Sequence, residues 1–337
     1  MDYKGKSICV LLKDKTILRH KIVEDPIARG GEGVIYRFEH KEEEKISTFI
    51  LKLYHSTHKA ARNKAKVRCM FNNPVQSADP NVRFCWPIGL VYDNRTYEFY
   101  GFAMQEAFSG SRNLEILSTY YVNDTIANRF PDEIEWHDKY ELHSNLGLQN
   151  RLRLLYCWAK TIAELHKKAH VVIGDIKPSN ILCTADGKVS IVDIDSMQYT
   201  HCGHTYIGTA HSPEFCHTDV HKEKAILFNM PRNFDAFSFA VSAYMILTGT
   251  HPYSNVINLP PYDKEQYQKL SSMIKANLYL RGEKGKFLKT IQDFNLHANF
   301  DKLPATIKEL LDYSFTKGLD DIPSISIWCN SLKKCVI

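Results

Sequence analysis

The chain has 337 residues, 44% of them hydrophobic, with a formal net charge of +5, enough apolar side chain for one large two-lobed domain or two ordinary ones. The positive excess is small and interspersed, which admits anionic ligands but marks no nucleic-acid platform, and nine cysteines without a C-x-x-C pair or a metal-type Cys/His spacing fit reduced thiols. The N-terminal MDYKGKSICV lacks the apolar core of a signal peptide, Cys335 is misplaced for a prenylation box, and the most apolar window, 234–247, is too short for a bilayer, so a cytoplasmic protein without a membrane partner is expected.

Residues 1–27 alternate basic and apolar positions (Ile8, Val10, Leu12, then Ile17, Leu18, Ile22, Val23), which predicts strands. Residues 27–36, Ile27-Ala28-Arg29-Gly30-Gly31-Glu32-Gly33-Val34-Ile35-Tyr36, put three glycines in a turn. Such a turn is either an ordinary hairpin or one whose N–H groups approach a phosphate unobstructed by side chains. Residues 49–54 form a short apolar strand interrupted by Lys52. Its ammonium either points to water from an edge or is buried against an anionic partner. Residues 55–71 predict a basic helix carrying Lys59, Arg62, Lys64, Lys66 and Arg68, and no acidic residue occurs between Lys52 and Asp79.

Residues 85–92 and 97–105, joined through Asp93-Asn94, predict a hairpin. Residues 114–148 are polar and irregular, with Tyr120, Tyr121 and Trp136 belonging either to a solvated loop or to a docking surface. Leu152, Leu155, Trp158, Ile162 and Leu165 repeat at helical spacing and predict a core-facing helix over 149–168. Residues 171–195 read VVIGDIKPSNILCTADGKVSIVDID. An apolar run enters a polar turn at Gly174 and Asp175, recovers strand character, turns at Ala185-Asp186-Gly187 and ends a second strand at Asp193. Asp175, Lys177 and Asn180 gather at one end and Asp193 at the other. A carboxylate, an ammonium, an amide and a second carboxylate suit a magnesium-bound phosphate and a hydroxyl awaiting deprotonation.

Asp175-Ile176-Lys177-Pro178-Ser179-Asn180 resembles the catalytic loop of protein kinases, D-x-K-P-x-N, and Asp193 falls where that family places the metal-binding Asp of D-F-G. The glycine turn resembles the family's glycine-rich loop, with Gly30 and Gly33 as second and third glycines and Ala28 in place of the first. The resemblance implies an α+β, bilobal protein kinase-like fold: a small β-rich N-lobe over 1–107 and a larger, mainly helical C-lobe over 108–337, with an insertion at about 114–148. It implies ATP against Ile27, Ala28, Gly30, Gly31, Gly33 and Ile35, with Lys52 on the α- and β-phosphates. Met104 becomes the gatekeeper, and the backbone of Gln105 and Ala107 faces adenine. Asp175 becomes the catalytic carboxylate, assisted by Lys177 and Lys52, while Asn180 and Asp193 become ligands of Mg²⁺, or of Mn²⁺ in its place.

Several positions depart from the family pattern. With no acid on the basic helix, either another acid reaches Lys52 or nucleotide and Asp193 hold it alone. Ile173-Gly174-Asp175 replaces H-R-D, which removes the usual pocket for a loop phosphate and favours constitutive or partner-driven activity. Asp195, two residues past Asp193, either reaches a second metal or is an exposed acid, and the exposed acid is the expectation. Gly208-Thr209-Ala210-His211-Ser212-Pro213-Glu214 resembles the end of an activation segment, two residues short. Ile322 stands where the family has the arginine that pairs with Glu214, so another base or partial exposure is expected there. Residues 234–247 resemble the central helix of the large lobe, with Asp235 capping either the catalytic-loop backbone or its own helix.

Gly-Gly-Glu-Gly, Lys-Leu-Tyr-His, Trp-Pro, Gly-Asp and Asp-x-Asp-Ser together are most similar to a bacterial branch, the YegI-like kinases. Some of that branch add C-terminal modules, and this chain is expected to comprise the kinase domain alone. The branch implies a partner phosphatase or a von Willebrand-type domain protein, and no nucleic-acid partner. The expected activity is ATP-dependent phosphorylation of Ser/Thr hydroxyls on protein substrates, the chain itself included. One alternative is a pseudokinase, a nucleotide-binding scaffold that recruits partner proteins. A second is a small-molecule kinase, against which Lys177 and the 208–214 segment argue.

Overall fold

A computed structural model describes residues 3–42, 45–118, 134–220, 229–231, 233–291 and 295–336. The chain divides into two units, one of Met1–Ala107 with Ile191–Asp195, the other of Phe108–Ser190 with Ser196–Ile337. The five residues Ile191–Asp195 therefore fold with the earlier part of the chain, whereas a cut after residue 107 would leave them in the later part. They join the first unit through the Cys85 N–H, which donates to the Ile191 carbonyl at 2.9 Å, and through Val192, which packs against that unit's core.

The first unit is an antiparallel sheet with one helix. Its strands are β1 Ser7–Leu12, β2 Ile17–Lys21, β3 Ala28–Arg29, β4 Gly33–Glu42, β5 Lys45–Tyr54, β6 Val82–Phe84, β7 Pro87–Asp93 and β8 Phe99–Met104, and its helix is α1 Thr57–Asn72. Seven strands form the sheet in the order β2-β1-β7-β8-β5-β4-β3. The alternation read from the sequence holds on β5, because successive side chains on a strand point to opposite faces. Leu51 and Leu53 join Ile8, Val10, Tyr36 and Ala103 on one face. Ile50 and Tyr54 join Ala60, Val67 and Phe71 of α1 on the other, and Lys52 shares that second face by register. Two glycines let the neighbouring strands close on β5. A Cβ at Gly101 would lie 1.9 Å from the Lys52 carbonyl oxygen, and one at Gly33 would lie 2.5 Å from that of Leu53. The third glycine of the turn is thus demanded by strand packing as well as by any ligand.

The second unit is mainly helical, with α2 Asn145–Ala169, α3 Phe234–Thr248, α4 Ala305–Thr316 and α5 Ile325–Val336 as its longer helices. Ser144 caps α2 by accepting from the Gly147 N–H at 2.8 Å, and His170 ends it in a left-handed conformation. α3 is buried almost all round, which is why its sequence shows no polar face. Trp158 of α2 meets Phe239 of α3 edge-on at 5.1 Å, and Phe239 meets Trp328 of α5 at 5.5 Å. Short strands include β9 Arg112–Asn113, β10 Val171–Val172, β11 Ile181–Cys183, β12 Val189–Ile191 (its last residue in the first unit), β13 Gln198–His201 and β14 His204–Tyr206. No described helix is long and apolar enough to cross a membrane.

The segment read as a polar insertion is corrected in part. Trp136 and Tyr140 are buried and stack at 5.2 Å, so these aromatics are neither solvated loop nor docking surface. Arg151, also buried, donates to the carbonyls of Leu117 at 2.9 Å and Tyr140 at 2.7 Å, and to that of Ile246, tying both flanks of the segment to α3. Tyr120 and Tyr121 lie outside the described residues.

Candidate active site

In the first unit the structure resolves the question of Lys52. Its side chain is 5% exposed, and its Nζ lies 2.6 Å from Asp195 Oδ1 and 2.9 Å from Asp193 Oδ1. Burial alone would favour loss of the proton, but the two carboxylates more than offset it and raise the lysine above its ordinary value. The expectation that Asp195 is an exposed acid is wrong: its side chain is 1% exposed. Its Oδ2 accepts from the Tyr54 hydroxyl at 2.9 Å, and burial beside that carboxylate pushes the phenol well above its usual range. Asp193, by contrast, is half exposed and sits at φ 54°, an uncommon backbone conformation for a residue with a side chain. Lys66 of α1 is buried too, and desolvation lowers it to about 8 despite the pull of Asp195.

The glycine turn is a tight hairpin in which Ala28 registers with Ile35, Ile27 N–H donates to the Ile35 carbonyl, and Gly30 N–H donates to that of Gly33. His55, just before α1, and the basic face of that helix fasten it. His55 Nε2 lies 2.7 Å from the Gly30 carbonyl, Lys59 Nζ donates to that of Gly31 at 2.6 Å, and Arg62 pairs with Glu32 at 2.7 Å. At the end of β8, Met104 is buried and Gln105 exposed. The side chain of Glu106 pairs with Arg37, and its carbonyl accepts from Arg83 at 2.5 Å.

In the second unit Asp175, Lys177 and Asn180 are brought together on the predicted loop. Asp175 Oδ2 accepts from Asn180 Nδ2 at 2.7 Å and pairs with Lys177 Nζ at 3.0 Å. Its Oδ1 accepts from the Ser212 hydroxyl at 2.7 Å, and that hydroxyl accepts from Lys177 at 2.8 Å. Ser212 was not singled out from the sequence. The signal was the shortness of the 208–214 segment, in which Thr209 and Ser212 are the two hydroxyls. The other, Thr209, has a buried Oγ1 with no hydrogen-bond partner among the described residues.

Two supports hold this loop. Asp235, fully buried near the start of α3, accepts from Ile173 N–H at 2.7 Å and Gly174 N–H at 2.8 Å, and meets His166 Nε2 at 2.7 Å. Of the two roles open to Asp235, it therefore takes the catalytic-loop cap. Gly174 sits at φ +80°, and a Cβ there would approach Met230 Sδ to 2.7 Å, so an arginine at this position would be strained in this backbone. The following segment folds as a β-hairpin. β13 pairs with β10 and β14, and Gln198 exchanges two hydrogen bonds with the backbone of Met230. Glu214 is partly exposed, as expected, and Ile322 is buried. The Glu214 carbonyl meets His251 Nε2 at 3.0 Å. Among the described residues no group of three or more His, Cys, Asp or Glu is arranged to hold a metal ion.

A family model described as a protein kinase domain matches residues 104–324. The match starts at Met104, so the glycine turn and Lys52 lie outside it. Protein kinase YegI of Escherichia coli strain K12 is 23% identical over 232 residues, which are 68% of this chain and 32% of that protein. Protein kinase YegI of Escherichia coli O157:H7 is 22% identical over the same shares. Serine/threonine-protein kinase PEPKR2 of Arabidopsis thaliana is 36% identical over 83 residues, 25% of this chain and 17% of its own. The chain thus spans about a third of the length of the YegI proteins it matches.

Proposed function

The chain belongs to the protein kinase family, and from that premise we propose that it transfers the γ-phosphoryl group of ATP to serine or threonine hydroxyls of protein substrates, itself included. The observation that carries this reading is the fixed carboxylate of Asp175, whose two oxygens meet Ser212, Asn180 and Lys177 within hydrogen-bond distance. A carboxylate held in one orientation is what positions an incoming hydroxyl and takes its proton, because phosphoryl transfer relies on placement and electrostatics. Lys177 offsets charge on the transferred group, and Lys52 sets the α- and β-phosphates. Gly30, Gly31 and Gly33, with Ile27, Ala28 and Ile35, cover the nucleotide, and Gln105 and Ala107 face its base.

Asn180 and Asp193 are the residues that would hold the divalent ion, Mg²⁺ or Mn²⁺. Each by its own chemistry suits a hard cation: Asp193 keeps half its surface exposed, and Asn180 commits its nitrogen to Asp175, which leaves its amide oxygen. When bound, that ion neutralises charge on the phosphates. Protein rather than small-molecule substrates are supported by Lys177 and by the contact of the 208–214 segment with Asp175. Serine/threonine preference is supported by the similarity to the serine/threonine-protein kinase PEPKR2. A phosphatase or von Willebrand-type partner gains no support from the structure or from the matched relatives.

Transfer from labelled ATP tests the proposal, with Mg²⁺ and separately Mn²⁺, in wild type, Asp175→Asn and Asp193→Ala. Incorporation into the chain or a generic protein that both substitutions abolish is the expected result. No incorporation by wild type, together with no metal-dependent thermal shift on adding nucleotide, overturns the enzyme and leaves a nucleotide-free scaffold.

A further inference from the structure

The acid that holds Lys52 comes from the 191–195 segment and not from the helix beside it. We propose that Asp195 is a positioning residue of the nucleotide site: it anchors Lys52 from within the metal-binding loop and makes the placement of that lysine independent of α1. The proposal rests on the kinase reading of Lys52.

Three observations carry it. First, both oxygens of Asp195 are engaged by buried protein donors, Oδ1 by Lys52 at 2.6 Å and Oδ2 by Tyr54 at 2.9 Å. With its side chain 1% exposed and each oxygen already taken by a buried donor, Asp195 is placed to anchor those donors rather than to meet a second metal. Second, Lys52 and Tyr54 are two apart on β5, so the strand's period of two puts both donors on one face, aimed at one carboxylate. The anchor is built into the sheet. Third, α1 offers no acid at all: its buried positions are Ala60, Asn63, Lys66, Val67, Met70 and Phe71. Lys66, the charged member, shares the electrostatic field of Asp195 and Lys52. Compared with the arrangement in which the helix supplies the acid, the polarity is inverted, with a cation on the helix and the carboxylate two residues past Asp193.

Two readouts on the full chain test this: kcat and KM for ATP, and the rate at which trace acetic anhydride acetylates Lys52, followed by peptide mass mapping. The second needs no phosphoryl transfer. The variants are Asp195→Asn, Tyr54→Phe and Lys66→Met, each checked by its melting curve. Asp195→Asn is expected to lower kcat/KM on the order of 100-fold, as misplacing a phosphate-setting group by about 1 Å does, and to raise Lys52 acetylation about tenfold. Tyr54→Phe, which removes a single hydroxyl, is expected to change both by severalfold. Lys66→Met is expected to leave Lys52 acetylation at the wild-type rate.

The proposal is overturned if Asp195→Asn keeps kcat/KM within about threefold of wild type. It is equally overturned if that variant loses activity while Lys52 stays as protected as in wild type, which would mark a structural role only. Lys66→Met unmasking Lys52 as strongly as Asp195→Asn would return the anchor to α1 and overturn it too. Should Asp195→Asn not fold, Tyr54→Phe decides, and wild-type values in both readouts overturn the proposal. If no protein transfers phosphate, wild type included, and nucleotide gives no metal-dependent thermal shift, yet Asp195→Asn alone unmasks Lys52, the kinase reading fails and the anchor stands.

Discussion

Replacing Ser212 by alanine separates two hydroxyls that the sequence places three residues apart. The substitution removes the donor to Asp175 Oδ1 at 2.7 Å and the acceptor of Lys177 Nζ at 2.8 Å, both hydrogen bonds to charged groups. Such bonds contribute about 1.5–3 kcal/mol each when buried. Asp175 and Lys177 are 15% and 26% exposed and keep their contact with each other, so water and the remaining partners recover part of the loss. A net loss of about 1.5–3 kcal/mol in the transition state corresponds to a fall in kcat of roughly 10- to 100-fold. ATP KM should be unchanged, because the proposed nucleotide contacts are made by other residues. Ser212→Thr keeps the hydroxyl and should keep most of the rate. Thr209→Ala removes a hydroxyl that has no partner among the described residues and should leave kcat within about twofold. Initial rates of labelled phosphate incorporation at saturating ATP measure all three. A kcat for Ser212→Ala within about twofold of wild type, or a Ser212→Thr as slow as Ser212→Ala, would refute the reasoning.

Asp235→Asn puts an amide where the Ile173 and Gly174 N–H groups need an acceptor, and it should cost about 2–4 kcal/mol in denaturant unfolding. His251 is held neutral in the fold, since burial lowers it to about 4 while its ordinary value is 6.5. The unfolded chain therefore binds the extra proton first as pH falls, and stability is lost between about pH 6.5 and 4, with roughly 2 kcal/mol gone by pH 5. Melting curves from pH 7.5 to 5 should steepen this loss in wild type relative to His251→Gln. Gly101→Ala drives a Cβ against the Lys52 carbonyl and should cost about 2–3 kcal/mol, with ATP KM rising as β5 shifts. An unchanged melting temperature would show that β8 gives way there.

Local patterns were legible because local physics writes them. The alternation over 49–54 placed Lys52 on a strand, the spacing of Leu152 to Leu165 placed a core-facing helix, and the loop 175–180 collected three of the four residues that meet at Asp175. Asp195 was misread because its environment is made by Lys52 and Tyr54, more than 140 positions away, and nothing adjacent signals burial. Ser212 was missed because the resemblance over 208–214 identifies a segment and not which of its hydroxyls reaches Asp175, 37 positions earlier. Trp136 and Tyr140 look solvated amid polar neighbours, yet they stack in the second unit. Burial of an isolated aromatic depends on what the rest of the chain brings to it.

The departures from the family pattern in the first unit compensate one another. α1 has no acid, and the glycine turn carries one, Glu32. Its cations Lys59 and Arg62 reach that residue at 3.5 and 2.7 Å, while Lys52 turns to Asp195. The two exchanges differ in strength. The pairs around Glu32 have side chains 27–36% exposed and contribute on the order of 0.5 kcal/mol each, so the clasp on the turn can open and close at little cost. The Lys52–Asp195 pair, 5% and 1% exposed, gains less than its Coulomb attraction suggests because both ions are desolvated, yet removing one partner strands the other in the interior. A displacement of α1 therefore acts on the glycine turn through weak, reversible contacts, whereas Lys52 takes its buried carboxylate from the 191–195 segment and not from a side chain of α1.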